Sequence, residues 1–112
     1  MKVAFDIDGT LLLVDHVNGR SVANEELLGV LRWFHGNGDE VFLWSSGGVE
    51  YAKEIAGKLN ISDLVKVIEK PDFGQRHPDM DLAFDDVETN LAKTNIKVSQ
   101  NLKIAETLHF LG

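Results

Sequence analysis

Residues 2–5, KVAF, form an apolar run that ends directly in Asp6, and Asp8 follows one residue later, before a Gly9-Thr10 turn. A short run with almost no polar residue predicts a β-strand that is covered on both faces, as in a parallel sheet. Ligands of open α/β sheets bind beyond the carboxyl ends of the strands. Two carboxylates at such a strand end therefore predict both a parallel sheet and a site at its edge.

The rest of the chain repeats the combination of an apolar run and a helical stretch. Further strands are predicted at 41–44, 64–68, 81–84 and 96–98. Apolar residues at helical spacing predict helices at 23–35, 48–59 and about 100–111. Strands that alternate with helices predict the α/β class. We expect a doubly wound, Rossmann-like parallel sheet of about five strands, with helices on both faces.

Residues 11–22, LLLVDHVNGRSV, interrupt this rhythm. Two short extended pieces around an Asn-Gly pair predict a β-hairpin directly after Asp8. We expect this hairpin to stand as a flap beside the strand end, within a single domain that spans residues 1–112.

Composition excludes several classes of function. The chain has no cysteine, which excludes a thiol nucleophile, a thiolate metal site and disulfides. A formal net charge of −7 argues against non-specific nucleic-acid binding, which needs cations to neutralise phosphates. Neither a secretory leader nor a run long enough to span a bilayer is present, so we expect a cytoplasmic protein with no membrane partner.

Polar residues stand at four predicted strand ends. They are Asp6 and Asp8, Ser45 and Ser46, Lys70, and Asp85 with Asp86. Each has an ordinary structural explanation: a strand-end Asp forms turns, a Ser caps a helix, and a Lys is a solvated charge. Their occurrence at four successive strand ends favours a common site.

Four motifs in order resemble those of the haloacid dehalogenase (HAD) superfamily. They are DIDGT with its two aspartates, VFLWS with its terminal Ser, EKP with its Lys, and LAFDD with its acidic pair. The resemblance covers residues 2–86, and the remainder fits the last strand and helix of the family. It implies the strand order 3-2-1-4-5 and a Mg²⁺-dependent phosphatase, a hydrolase that works through an aspartyl-phosphate.

The resemblance also implies a role for each motif residue. Asp6 is the nucleophile, Asp8 the acid and base, Ser45 a phosphate donor, and Lys70 the balancing cation. Phosphate binding is implied for Ser45, Ser46, Lys70 and Gly9. The metal ligands are Asp6, the backbone carbonyl of Asp8, and Asp85 or Asp86, of which we favour Asp86 for direct contact. Mg²⁺ suits a set of hard oxygen ligands.

The substrate is left open by the sequence. Only the hairpin and one helix separate Asp6 from Ser45, and one helix and strand separate Ser45 from Lys70, so no cap domain is predicted. Relatives without a cap often act on large substrates or use the surface of a partner. A macromolecule or a phosphorylated metabolite, and a protein partner or a homo-oligomer, stay open. Arg20, Arg76 and His77 either overhang the site or are solvated.

Four other interpretations compete with a phosphatase. A response-regulator receiver has a similar site, but its acidic pair comes at the first strand, whereas here the pair follows Lys70. An EF-hand loop would need a carboxylate where Ala4 stands. A phosphoryl-accepting signalling domain or a non-catalytic binding domain of the same fold is the main alternative. A dehalogenase fits less well, because its chemistry needs neither Asp8 as an acid nor a metal.

Overall fold

The computed structural model describes residues 1–15, 19–72 and 74–99. Two helices are formed in this part of the chain, α1 (Glu25–Gly36) and α2 (Val49–Lys58). The strands are β1 (Lys2–Phe5), β2 (Leu12–Asp15), β3 (Arg20–Ala23), β4 (Glu40–Leu43), β5 (Lys66–Val67), β6 (Leu82–Asp85) and β7 (Thr94–Lys97). The α/β class is thereby confirmed. The described helices give no segment that is long and apolar enough to cross a membrane.

Five of the strands form one parallel sheet in the order β5-β4-β1-β6-β7. Counted along the chain within this sheet, the order is 3-2-1-4-5, as the family resemblance implies. The first strand is central, with β4 on one side and β6 on the other. The remaining strands, β2 and β3, pair antiparallel, so the hairpin predicted after Asp8 is present.

One face of the sheet is covered by both helices. Phe5 of β1 packs with Leu31 of α1 and Ile55 of α2 in a single cluster of buried residues. The ring of Phe5 stacks on that of Phe84, with centroids 4.7 Å apart. Burial of such apolar side chains is the main stabilising contribution of this layer, at about 1.5–3 kcal/mol for each large side chain. The position of α2 over this face brings its first turn toward the end of β1.

The opposite face is covered differently in the described residues. Ala4, Phe42 and Ala83 project from the strands on this side, because successive side chains alternate between faces. The residues that pack against them, Met80, Leu91 and Ala92, come from connecting segments rather than from a helix. The third predicted helix, at about 100–111, lies outside the described residues. A layer of helices is therefore established for one face only.

In the described residues, the predicted boundaries hold within about two residues. The run at 64–68 forms only a two-residue strand, because the register with β4 includes only Lys66 and Val67. The last strand begins at Thr94, two residues before the apolar run at 96–98, because it aligns with Leu82–Asp85 of β6. Pairing with the neighbouring strand, rather than the length of the apolar run, determines these limits.

Candidate active site

The carboxyl ends of the central strands bring three of the predicted site residues to one edge of the sheet. Asp6 follows β1 directly, Ser45 comes shortly after β4, and Asp85 is the last residue of β6. All three side chains are buried. Their proximity follows from the strand order, since β1 lies between β4 and β6 and all three run in the same direction. The predicted clustering at this edge is therefore observed.

Lys70 joins two of the carboxylates. Its ammonium Nζ lies 3.2 Å from Asp6 Oδ1 and 2.7 Å from Asp85 Oδ2. The second oxygen of Asp6 accepts a hydrogen bond of 3.3 Å from the Thr10 hydroxyl. Both oxygens of Asp6 thus have a donor, and these contacts hold its carboxylate in one orientation. Charge-assisted hydrogen bonds of this kind are about twice as strong as neutral ones.

Burial changes the acidity of the predicted nucleophile. The pKa of Asp6 is raised from 3.8 to about 6, chiefly because burial disfavours the charged carboxylate. The nearby charge of Lys70 opposes this effect, and that of Asp85 adds to it. Near neutral pH the carboxylate of Asp6 is therefore mainly ionised, as a nucleophile requires.

The Lys70 ammonium keeps its charge in this setting. Burial would lower its pKa, but the hydrogen bond to Asp85 and the charge of Asp6 outweigh burial, so the pKa is raised above 10.5. Lys70 is consequently a permanent cation between two carboxylates. A cation at this position also reduces the repulsion that an incoming phosphate dianion would meet.

Three carboxylates could hold a metal ion together. Asp6, Asp85 and Asp86 each offer an oxygen within 4.8 Å of the others. The oxygens of Asp85 already accept from Lys70, at 2.7 Å, and from the Val87 amide, at 3.2 Å. Burial, followed by a hydrogen bond with Asp85 and the charge of Asp85, raises the pKa of Asp86. Hard oxygen ligands of this kind are the ones that Mg²⁺ prefers, and the choice between Asp85 and Asp86 as the direct ligand stays a prediction.

Asp8 lies apart from this carboxylate cluster. Its side chain is exposed, and Asp8 Oδ1 accepts a hydrogen bond of 2.7 Å from the hydroxyl of Tyr51. Tyr51 is in the first turn of α2 and is half-buried. Burial, together with the hydrogen bond and charge of Asp8, raises the pKa of Tyr51 to about 12. The phenol therefore stays protonated, and it remains a donor to Asp8 across the neutral range.

Ser45 is part of a compact loop between β4 and α2. Its hydroxyl oxygen accepts a hydrogen bond of 3.0 Å from the Gly47 amide. The N-cap of α2 is Gly48, which has a φ of 100° and makes no side-chain cap hydrogen bond. The alternative in which Ser45 or Ser46 caps the helix is therefore not the observed arrangement. Uncapped amides at a helix N-terminus are suited to an anion.

Gly9 provides the turn that follows Asp8. Its φ of 79° lies in the left-handed region, which glycine adopts without the steric cost that a side chain would bring. The Gly9 amide donates to the carbonyl of Leu12 at 2.7 Å. This amide is thus already used inside the turn, and the role of Gly9 in phosphate binding stays a prediction.

An open cleft of about 660 Å³ adjoins the cluster. Ser46 and Lys70 line it, so it is continuous with the predicted phosphate site. Its lining also includes Val87 and Ile96, which are 54% and 39% exposed. The cleft is large enough for a group much bigger than phosphate.

The loop after β6 depends on a residue that the sequence did not single out. Asn95 Oδ1 accepts from the amides of Leu91 and Ala92 at 2.9 and 3.0 Å, and its Nδ2 donates to the Ala92 carbonyl at 2.8 Å. Linear spacing alone favours Asn90 for this role, because it stands four residues after Asp86. Asn95 performs it because β7 places residue 95 beside the loop, which linear spacing does not reveal.

Three further residues, His77, Arg20 and Arg76, were candidates for contact with a substrate, and they differ in burial and in their partners. The ring of His77 lies 6.2 Å from that of Trp44, and its Nδ1 accepts from the Asp79 amide at 3.3 Å. These contacts give His77 a structural role within the loop. Arg20 and Arg76 are exposed, which fits both a position over the site and a solvated surface position.

Comparison with known proteins found no matching family model, no matching curated protein and no matching solved structure. The resemblance to the HAD superfamily consequently rests on the motif residues.

Proposed function

We propose that this chain is a capless phosphatase of the HAD type, which transfers a phosphoryl group to Asp6 and then to water. The carrying observation is the arrangement of Lys70, whose ammonium lies within 3.2 Å of Asp6 and 2.7 Å of Asp85. A carboxylate that is held by a cation and a hydroxyl, at the carboxyl edge of a parallel sheet, is suited to act as a nucleophile.

In the proposed first step, an oxygen of Asp6 forms a bond to phosphorus while the bond from phosphorus to the ester oxygen breaks. Asp8 gives a proton to the departing oxygen. In the second step Asp8 takes a proton from water, and the water oxygen bonds to phosphorus as the bond to Asp6 breaks. The exposed position of Asp8, outside the carboxylate cluster, is consistent with a group that meets both the leaving oxygen and solvent.

The negative phosphoryl group is held by donors in this proposal. Ser45 donates its hydroxyl, Lys70 its ammonium, and the loop at Ser46 its amide. The N-terminus of α2 adds a favourable dipole, since its cap has no side chain that occupies the first amides. These groups are fixed before the substrate arrives, and such preorganisation is a main source of rate enhancement.

Mg²⁺ is the proposed cofactor. Asp6, Asp86 and the carbonyl of Asp8 would hold it, with Asp85 bound to Lys70 beside them. When bound, the ion would neutralise charge on the phosphoryl oxygens during the transfer.

The substrate is proposed to be a phosphate monoester whose remainder extends beyond the phosphate site. The 660 Å³ cleft beside Ser46 and Lys70 offers room for either a metabolite or part of a macromolecule. Only the hairpin and α1 lie between β1 and β4 in the described residues, so the edge is open. An open edge favours broad access over tight selection of small substrates.

The doubly wound arrangement is the finer part of the proposed fold. The apolar positions Leu102, Ala105, Leu108 and Leu111 predict a helix that would add a layer to the face occupied by Ala4 and Phe42. Backbone chemical shifts over residues 100–111 test this proposal. Extended shifts there would contradict it.

The function is tested with a nitrophenyl phosphate in the presence of Mg²⁺. We expect repeated release of phosphate by the wild type and none by Asp6→Asn. Because Asn is nearly isosteric with Asp, circular dichroism should be unchanged. The matched control is Asp63→Asn, which removes an exposed carboxylate in another loop and should retain full activity.

Two outcomes would contradict the proposal. Activity of Asp6→Asn within tenfold of the wild type, with the fold intact, would remove Asp6 as the nucleophile. Stoichiometric labelling of Asp6 without turnover would favour the phosphoryl-accepting signalling domain instead.

A further inference from the structure

Tyr51 makes a contact that the phosphatase proposal does not explain. Its hydroxyl donates to Asp8 Oδ1 at 2.7 Å, across 43 residues of sequence. Tyr51 is the single tyrosine of the chain, and its contact joins α2 to the turn after β1. A short hydrogen bond to an exposed carboxylate restricts a side chain that would otherwise rotate freely.

The ring of Tyr51 lies beside Gly47, in the loop that carries Ser45. A Cβ at position 47 would lie 3.0 Å from Tyr51 Cδ2 and 3.3 Å from Ser45 Oγ. A side chain at this position would therefore crowd both the Tyr51 ring and the Ser45 hydroxyl, and glycine avoids this. Hydrogen bonds join Gly47 to Ser45 and Tyr51 to Asp8, and the Tyr51 ring lies beside Gly47.

We propose that Tyr51 is a positioning residue that sets the orientation of Asp8 relative to the phosphate held at Ser45. The inference rests on the proposed phosphatase function, in which Asp8 is the acid and base. Tyr51 itself exchanges no proton with the substrate. It acts through Asp8, because the same ring that contacts the phosphate-binding loop carries the hydroxyl that holds the carboxylate.

The direct test is Tyr51→Phe, which keeps the ring against Gly47 and removes only the hydroxyl. The measured quantity is kcat/KM for two esters, an alkyl phosphate and a nitrophenyl phosphate. An alkoxide leaving group needs a proton from Asp8, whereas a nitrophenolate leaves with little help. We expect kcat/KM to fall about tenfold for the alkyl ester and less than about twofold for the nitrophenyl ester.

A double-mutant cycle of Tyr51→Phe and Asp8→Asn measures the contribution of the Tyr51–Asp8 hydrogen bond. If Tyr51 acts through Asp8, Tyr51→Phe will have no further effect on the alkyl ester in the Asp8→Asn background. The control on the same helix is Lys53→Ala, whose side chain is 60% exposed and pairs only with Glu50 in the described residues. This variant should leave both esters unaffected. Thermal unfolding of each variant monitors the fold.

Several outcomes would overturn the inference. Equal losses for the two esters, additive losses in the cycle, or faster hydrolysis by Tyr51→Phe would each exclude a positioning role through Asp8. Should Tyr51→Phe unfold, the phenolate absorbance of Tyr51 in the wild type and in Asp8→Asn still tests the contact, and equal phenolate fractions in the two proteins would overturn the inference. A wild type that hydrolyses neither ester would overturn the phosphatase function itself, and the inference with it.

Discussion

The Lys70 ammonium lies 2.7 Å from the Asp85 carboxylate, and the two side chains are only 13% and 2% exposed. Lys70 follows the edge strand β5, whereas Asp85 ends β6 on the other side of the central strand. The segment after β5 must therefore reach over the ends of β4 and β1. The ion pair fixes the segment after β5 to the end of β6. The Lys70 charge also balances part of the negative charge of the carboxylate cluster.

Removal of the Lys70 charge should destabilise the metal-free protein. We expect Lys70→Met to lower the free energy of unfolding by about 3 kcal/mol near neutral pH in EDTA, because it leaves buried carboxylates without a cation. Chemical denaturation measures the change. The control is Lys93→Met, since Lys93 pairs with Asp81 at 3.3 Å on the exposed surface. Loss of this exposed ion pair should lower the free energy of unfolding by less than about 1 kcal/mol. Equal losses for the two variants would contradict this prediction.

Mg²⁺ should raise the unfolding temperature of the wild type. A ligand that binds only the folded state adds about 2.7 kcal/mol when its concentration is 100 times Kd. We expect Asp86→Ala to lose most of this gain and Asp63→Asn to retain it, as followed by thermal denaturation with Mg²⁺ and with EDTA. Activity that persists in EDTA, or an Asp86→Ala variant that responds fully to Mg²⁺, would exclude the proposed metal role.

The stability of the metal-free protein should depend on the protonation of Asp6. Its pKa is about 6 when folded, against 3.8 for the ordinary group, so the folded state binds this proton more tightly. The resulting stabilisation is complete below about pH 4 and is lost as the pH rises through about 6. It amounts to about 3 kcal/mol. Urea denaturation in EDTA at several pH values, for the wild type and Asp6→Asn, measures the difference. A difference that stays constant from pH 4 to 7 would be evidence against the raised pKa.

Asp8 should control the lifetime of the phosphoryl-aspartate. General acid and base catalysis contributes roughly 10²–10⁴-fold, so we expect Asp8→Asn to slow steady-state phosphate release by about that factor. Rapid quench with labelled substrate would detect the phosphoryl group on Asp6. Asp8→Asn should accumulate label if the hydrolytic step is slowed more than the transfer step. An undiminished rate would mean that Asp8 is neither the acid nor the base.

Tyr51 offers a spectroscopic check of its contact with Asp8 that needs no substrate. Burial and Asp8 together raise its pKa to about 12, so little phenolate should form at about pH 11. Since the chain has one tyrosine, the absorbance of phenolate reports this residue alone. We expect Asp8→Asn to increase the phenolate fraction at that pH, with circular dichroism confirming the fold. An unchanged fraction would mean that the contact is not formed in solution.

Local patterns are sufficient to predict most of the described strands and helices. KVAF at 2–5 became β1 at the predicted residues, and the helix predicted at 48–59 was observed at Val49–Lys58. Side-chain alternation and the 3.6-residue helical period are properties of neighbouring residues, so they can be read from the chain. The short β5 was less predictable, because its limits depend on which residues meet β4.

The sequence by itself determined which residue types stand at the strand ends: carboxylates at Asp6, Asp8, Asp85 and Asp86, and a cation at Lys70. Tertiary structure alone decided how they are paired. Lys70 donates hydrogen bonds to Asp6 and Asp85, which are 64 and 15 residues away in the sequence. Asp8 lies outside this cluster and accepts a hydrogen bond from Tyr51. No local pattern encodes these contacts, because they arise only when the parallel strands align their carboxyl ends and α2 packs over the sheet. Burial at that edge, which raises the pKa of Asp6, is likewise a property of the assembled fold.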